Sequence, residues 1–301
     1  MAALNRRRFI AISASAMLVA GRAHSGSLRQ WSGSGLGARV TITLDHPDGE
    51  RLAEKAFAEI DRLEGIFSLY RATSALSRMN SAGILDNPPF ELLECLSLCG
   101  GVHQATGGLF DPTVQPLWQL YASAHANQRR PDDTEISETL KSVGWDRVSL
   151  HPGGVRLAAG TALTLNGVAQ GYVADRVAEM FQREGLSDVL VDTGEIAALG
   201  REWPVTLDAG GPVGDVRLRN QALASSAPLG TVFDAEGKVG HILHPRTGLP
   251  AAPEWKLVSV TAPRAALADA LSTAACLMPR NGIIAACAGF PDTSLVLAER
   301  A

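Results

Sequence analysis

Residues 163–175 read LTLNGVAQGYVAD, and the fold turns on how this stretch is taken. Leu163 and Leu165 alternate with Thr164, as they would on a strand. Asn166, Gly167 and Gly171 then lead into a helical pattern over Tyr172 to Glu184. A Gly-flanked passage from extended chain into helix bares backbone groups to a ligand. Gln170 sets a neutral amide in the middle of it.

Upstream, ARVTITL (38–44) alternates like a strand, and GERLAEKAFAEIDRLEGIF (49–67) brings Leu52, Phe57, Ile60, Leu63 and Phe67 towards one helical face. A second helix is expected over Pro89 to Gln104. Asp132 or Asp133 suits the cap of a short helix ending near Val143. From Val148 onward come short apolar strands: RVSL, GVRL, ALTL, DVLVD, WPVTL, DVRL and KLVSVTA. Only the helix after Gly171 and a second one over Arg264 to Met278 interrupt them. Strands in runs, without regular βαβ alternation, predict an α+β fold rather than a doubly wound sheet.

The chain has 301 residues and is 46% hydrophobic, enough for a large core. Its 27 basic and 31 acidic residues give a net charge of -4, which argues against a general nucleic-acid binder. The amino terminus, NRRRFIAISASAMLVAGRAHS, follows Arg6-Arg7-Arg8 and Phe9 with an apolar run shorter than the about 20 residues needed to span a bilayer. Small residues at Gly21, Ala23 and Ser25 suit cleavage, and residues 1–25 read as a twin-arginine export signal to the periplasm, with an ordinary secretory signal or an uncleaved membrane anchor as the alternatives. Cleavage after Ala23 takes away four arginines and no acids, leaving a net charge of -8. Residues 26–36 read as a Gly/Ser-rich linker, and 37–301 as one domain.

Several stretches carry chemistry. In APRAALADALSTAACLM, Asp269 and Thr273 lie four apart on one helical face. They either supply oxygens to a hard cation such as Mg²⁺ or bond locally to the backbone. GHILHPRTGLP groups His241, His244 and Arg246 around a turn; Arg forks onto phosphate oxygens, and histidines three apart on extended chain face opposite ways. Gly107-Gly108 precedes Leu109, Phe110, Asp111 and Pro112, a sequence that forms either a ligand loop or an ordinary turn. Tyr70 sits in a polar setting where its ring can stack on a planar base. Cys95 and Cys99 share a helical face without a zinc partner set and read as buried apolar groups, with a disulfide as the alternative.

The ordered set Ser68-x-Tyr70-(x)3-Ser74-(x)5-Asn80, GGLFDPTVQPL, NGVAQGYVAD, DTGEIAALG, HILHPRTG and ADALST resembles the ApbE family of FAD:protein FMN transferases. The resemblance runs from about Gly35 to the carboxy terminus. It implies an α+β fold with mixed or antiparallel sheets, flanking helices, and an FAD and Mg²⁺ site between lobes. It further implies Mg²⁺-dependent transfer of the FMN moiety of FAD to a Thr or Ser hydroxyl of a target flavoprotein, with release of AMP. By this resemblance Gly167, Asp269 and Thr273 hold the metal. Tyr70, Leu109, Phe110, Asp111 and Asp175 contact FAD, and His241 is the candidate catalytic residue. The variants in GEIAALG and HILHPRTG are similar to a branch accompanying nitrous-oxide respiration, with a periplasmic or membrane-attached acceptor. Gln170 replaces the family's usual lysine, which motivates the rival reading of a non-transferring, FAD-binding accessory protein.

Overall fold

The computed structural model describes residues 28–151 and 153–301; the expected export signal lies outside them. In chain order the elements are β1 (Arg29–Gly35), β2 (Ala38–Leu44), α1 (Gly49–Phe67), α2 (Ala75–Ala82), β3 (Ile84–Asp86), α3 (Phe90–Ala105), α4 (Gln115–Ala126), α5 (Asp133–Leu140), β4 (Val148–His151) and β5 (Gly154–Leu157). There follow α6 (Ala169–Arg183), β6 (Val189–Asp192), β7 (Ile196–Leu199), β8 (Trp203–Asp208), β9 (Pro212–Leu218), β10 (Gln221–Ser226), β11 (Trp255–Ala262), α7 (Ala265–Ala275), α8 (Arg280–Ala288) and β12 (Ser294–Arg300).

Strands β1-β2-β6-β7-β10-β11-β12 form a sheet of seven whose pairings are all antiparallel. Smaller sheets are β3-β5-β4 and the hairpin β8-β9. This is the α+β architecture expected. Alternation along the strands sorts the two faces of the large sheet. Val40, Ile42, Val191, Ala197, Ala224, Val258 and Val260 join the core shared with α1, α3, α6 and α7. Leu190, Ile196, Ala198, Leu223 and Leu257 point the other way and are covered by the β8-β9 hairpin with Trp203. All four cysteines are buried and unbridged, as the apolar reading had it.

Two readings need correction. The linker assigned to 26–36 contains β1, which pairs with β2 from Arg29↔Leu44 to Gly35↔Ala38. Its glycines are there for packing: a Cβ on Gly33 would meet the Phe57 ring at 2.5 Å, and one on Gly35 would collide with Ile60. ALTL, expected as a strand, joins no sheet. Asn80 takes over the role of a neighbouring strand there, donating from Nδ2 to the Leu163 carbonyl and accepting from the Leu163 amide, both at 2.8 Å. Thr164 N–H donates to the Pro112 carbonyl at 2.8 Å. Helix α5 keeps its expected boundary because Asp132 and Glu135 form a reciprocal capping box.

Leu163 is fully buried, so the Asn80 amide is the partner its backbone has in place of water. Asn80→Ala should therefore lower the unfolding free energy by about 1–3 kcal/mol. Urea denaturation checks this; an unchanged midpoint would show the Leu163 backbone to be satisfied in another way.

Candidate active site

Helix α6 meets helix α7 at a seam of small residues. Gly171 lies so close to the Ala265 carbonyl that no side chain fits between them. Closeness at this point lets the Gly171 amide donate to Asp269 Oδ2 at 3.2 Å. Asp269 is buried, and desolvation together with the nearby Asp175 charge pushes its carboxyl up to about 8. One turn on, the Thr273 hydroxyl packs against Gly167: a Cβ there would stand 2.8 Å from Thr273 Oγ1. The sheet contributes Ser226, whose hydroxyl lies 3.4 Å from Thr273 Oγ1 and 2.8 Å from Ser272 Oγ.

Glu195 extends the same cluster. It stands two residues before Ala197, on the helix-facing side of the sheet, and accepts from the Ser225 amide at 3.2 Å. Burial, then the Asp269 charge, hold its carboxyl well above the usual range. The structure thus joins Gly167, Asp269 and Thr273, the three residues expected to hold a metal. Sequence reasoning missed Ser226 as a participant; its one signal is a hydroxyl where the β10 pattern of Ala222 and Ala224 puts an inward-facing residue.

These groups fit a hard divalent cation. Their donors are oxygens of a carboxylate, hydroxyls and a bare peptide, the ligand chemistry Mg²⁺ takes. Asp269 is a buried carboxylate that, among the described residues, has one hydrogen-bond donor and no basic partner, so a cation is what would keep it ionised. Among the described residues no three His, Cys, Asp or Glu side chains converge as a metal cluster, so hydroxyl and peptide oxygens must complete the set.

Pro112 links this centre to the 107–111 turn through its bond from Thr164. Leu109 is half-buried, and Phe110 and Asp111 are buried. Asp111 Oδ1 accepts from the Thr113 amide at 2.8 Å and the Thr113 hydroxyl at 2.6 Å, fixing the turn ahead of α4. His103 Nδ1 meets the Phe110 carbonyl at 2.9 Å. Beside them opens a cleft of about 520 Å³, lined by His103, Gly107, Gly108, Asp111, Trp145 and Arg246 among others. Arg246 donates to the Gly107 carbonyl, tying the HPRTG turn to this rim. Tyr70 is 59% exposed, its turn held by its own amide's bond to Ser68 Oγ.

The two histidines divide as their spacing implied. His244 Nδ1 accepts from the Arg246 amide at 3.1 Å and shapes the turn. His241 Nδ1 faces the Thr231 carbonyl at 2.9 Å. A carbonyl can only accept, so Nδ1 carries the proton and Nε2 keeps its lone pair. Burial lowers the His241 pKa and keeps the ring neutral.

Asp175, expected to contact FAD, is engaged by α7. Both its oxygens are taken by α7: Oδ1 accepts from Ala265 N–H at 2.7 Å and Oδ2 from Ala266 N–H at 3.0 Å. A carboxylate one turn after Gly171 on α6 points along the helix seam because that is where unpaired amides await a partner. Gln170 stays at the surface of the centre, its amide against Gly194, while its carbonyl accepts from the Thr193 hydroxyl at 2.8 Å.

The ApbE family model matches residues 36–296. The chain belongs to the ApbE family. Among curated relatives, a Treponema pallidum protein named FAD:protein FMN transferase is 30% identical over 271 residues, covering 78% of this chain and 74% of that protein. A Klebsiella pneumoniae protein of the same name is 27% identical, covering 75% and 74%. Among solved structures, the ApbE protein of Thermotoga maritima matches with a TM-score of 0.79 at 26% identity, covering 91% of this chain and 97% of that one. The apo flavinyl transferase ApbE of Pseudomonas stutzeri has a TM-score of 0.77 at 24% identity, covering 87% and 88%, and supports the fold.

Because the Asp269 pKa is about 8 in the fold and near the ordinary aspartate value of about 3.9 once unfolded, the folded state binds the extra proton between those values. Stability of the cation-free protein should therefore fall as pH rises from 4 to 8. Asp269→Asn should flatten that slope and be the more stable protein at pH 8, by up to a few kcal/mol. Urea melts across this range decide it; parallel curves for the two proteins would mean that Asp269 carries no such burden.

Proposed function

We propose that this protein transfers the FMN moiety of FAD onto a Thr or Ser hydroxyl of a target flavoprotein, releasing AMP, with a divalent cation at Asp269, Thr273 and the Gly167 backbone. The observation that carries the reading is the packing of Thr273 against Gly167, one turn from the buried Asp269 that accepts from Gly171, within a member of a family whose relatives are named FAD:protein FMN transferases. Mg²⁺ bound there would draw charge from the pyrophosphate of FAD as a Lewis acid.

The chain's own groups do the rest. His241 Nε2, neutral and unprotonated, takes the proton of the acceptor hydroxyl as its oxygen forms the bond to the FMN-side phosphorus. The phosphorus–oxygen bond to AMP breaks, and AMP leaves with that electron pair. Asp111 lines the cleft, Leu109 and Phe110 precede it in the same turn and would run along the dinucleotide, and Tyr70 offers an exposed ring for stacking on the flavin. Arg246, at the cleft rim, supplies fixed positive charge near the phosphates. A water molecule in place of the acceptor hydroxyl would give FMN and AMP instead.

The export signal read at residues 1–25 would put the acceptor in the periplasm or at its membrane, and the weaker branch resemblance points to an electron-transfer protein of nitrous-oxide respiration. The rival reading, an accessory protein that holds FAD without transferring it, has one specific observation in its favour. Gln170 leaves a neutral amide where the family usually has lysine.

Incubation with FAD, Mg²⁺ and a flavoprotein acceptor domain, followed by mass spectrometry, separates the two. Covalent FMN on the acceptor is expected; stoichiometric FAD binding without an adduct would leave the accessory reading. Asp269→Ala should abolish transfer, and His241→Ala should slow it by about 10²–10⁴-fold. Gln170→Lys tests the departure directly: a faster rate marks the glutamine as a brake, and an equal rate shows that transfer here does without the lysine.

A further inference from the structure

The grip of α6 on α7 extends beyond the groups that meet the substrates. Asp175 lies one turn after Gly171 on α6, so the two project on the same side of that helix. Asp175 holds the first two amides of α7, Ala265 N–H and Ala266 N–H, while Gly171 N–H holds the carboxylate of Asp269. Arg264 Nε, 3.5 Å from Asp175 Oδ2, closes the far side of the carboxylate. The opening amides of a helix have no partner within it, and their partial positive charge favours an anion.

Two attachments one turn apart fix a helix against both sliding and rotation. Asp269 stands four residues after Ala265, and Thr273 four after that, so both follow any displacement of the α7 start. Gly167 belongs to the segment that runs into α6. The cation site is therefore split between the two helices, with Gly167 on one side and Asp269 with Thr273 on the other. The seam between them is the joint that sets their spacing.

We propose that Asp175 is a positioning residue for the cation site, setting the register of α7 so that Asp269 and Thr273 face Gly167. This rests on the reading of Asp269 and Thr273 as cation ligands. The alternative is a plain tether between α6 and α7, which would lend stability without affecting how tightly the cation binds.

The test uses Mn²⁺ as a paramagnetic probe, titrated into the FAD-free protein and followed by electron paramagnetic resonance. Asp175→Asn keeps the shape but presents an N–H where an acceptor is needed. Val177→Ala truncates a buried residue of the same helix outside the clamp and serves as the stability control. Asp175→Asn should bind Mn²⁺ about 10- to 100-fold more weakly than wild type, while Val177→Ala stays within about twofold at a comparable melting temperature. Asp175→Glu, which retains the charge but displaces α7 by the added methylene, should also bind more weakly and stands in should the Asn variant not fold. Folded Asp175 variants that bind Mn²⁺ as tightly as Val177→Ala overturn the positioning role. Mn²⁺ binding that survives Asp269→Ala overturns the cation reading beneath it.

Discussion

The approach of α6 to α7 at Gly171 is the contact on which the rest of the centre depends. A helix pair comes this close only where side chains are absent or small. Here Gly171 faces the Ala265 carbonyl, and α7 reads AALADALSTAA. Apolar smallness of this kind usually serves packing alone. In this protein it lets one backbone amide reach a buried carboxylate, and it closes off the water that would otherwise solvate that carboxylate.

The sheet beneath completes the centre through its alternation. Because side chains on a strand alternate in direction, Glu195 and Ser226 fall in phase with Ala197 and Ala224 and come up beneath α7, while Leu190, Ile196 and Leu223 pack under the β8-β9 hairpin. One face of the sheet thus carries polar groups among the helices, and the other is an apolar layer around the buried Ser225–Ser259 hydroxyl pair. The HPRTG turn and the 107–111 turn are joined by Arg246 at Gly107, so the cleft rim and the helix seam belong to one assembly.

Burial of several carboxylates together is the energetic signature of this assembly. Desolvation pushes Asp175 and Asp192 up to about 6, Asp269 to about 8, and Glu195 higher than its ordinary value. Negative charge confined in this way costs stability when no cation offsets it. Asp175 is offset in part by two amides and Arg264, which marks it as part of the frame. Among the described residues Asp269 has one amide and no cationic side chain, which marks it as a group awaiting a ligand.

Much of this was legible in the sequence. The 3.6-residue period of α1, the capping box of α5 and the alternation of β2 are local, so neighbouring residues suffice to encode them. The Asp269/Thr273 pair was legible as a shared helical face, and family order added Gly167. What the sequence left open was decided by contacts between distant segments. Glycines that look like a linker became β1 because Phe57 and Ile60 lie across them. An apparent strand at 162–165 was left outside every sheet because Asn80 supplies the bonds a neighbouring strand would have made. Asp175 is held by the α7 amides, and no local pattern could reveal that it would meet them. Sequence by itself determined the elements and the chemical character of their faces, since both follow from spacing along the chain. Only the tertiary structure decided which carboxylate is frame and which is site, because that depends on which backbone amides are left unpaired within reach.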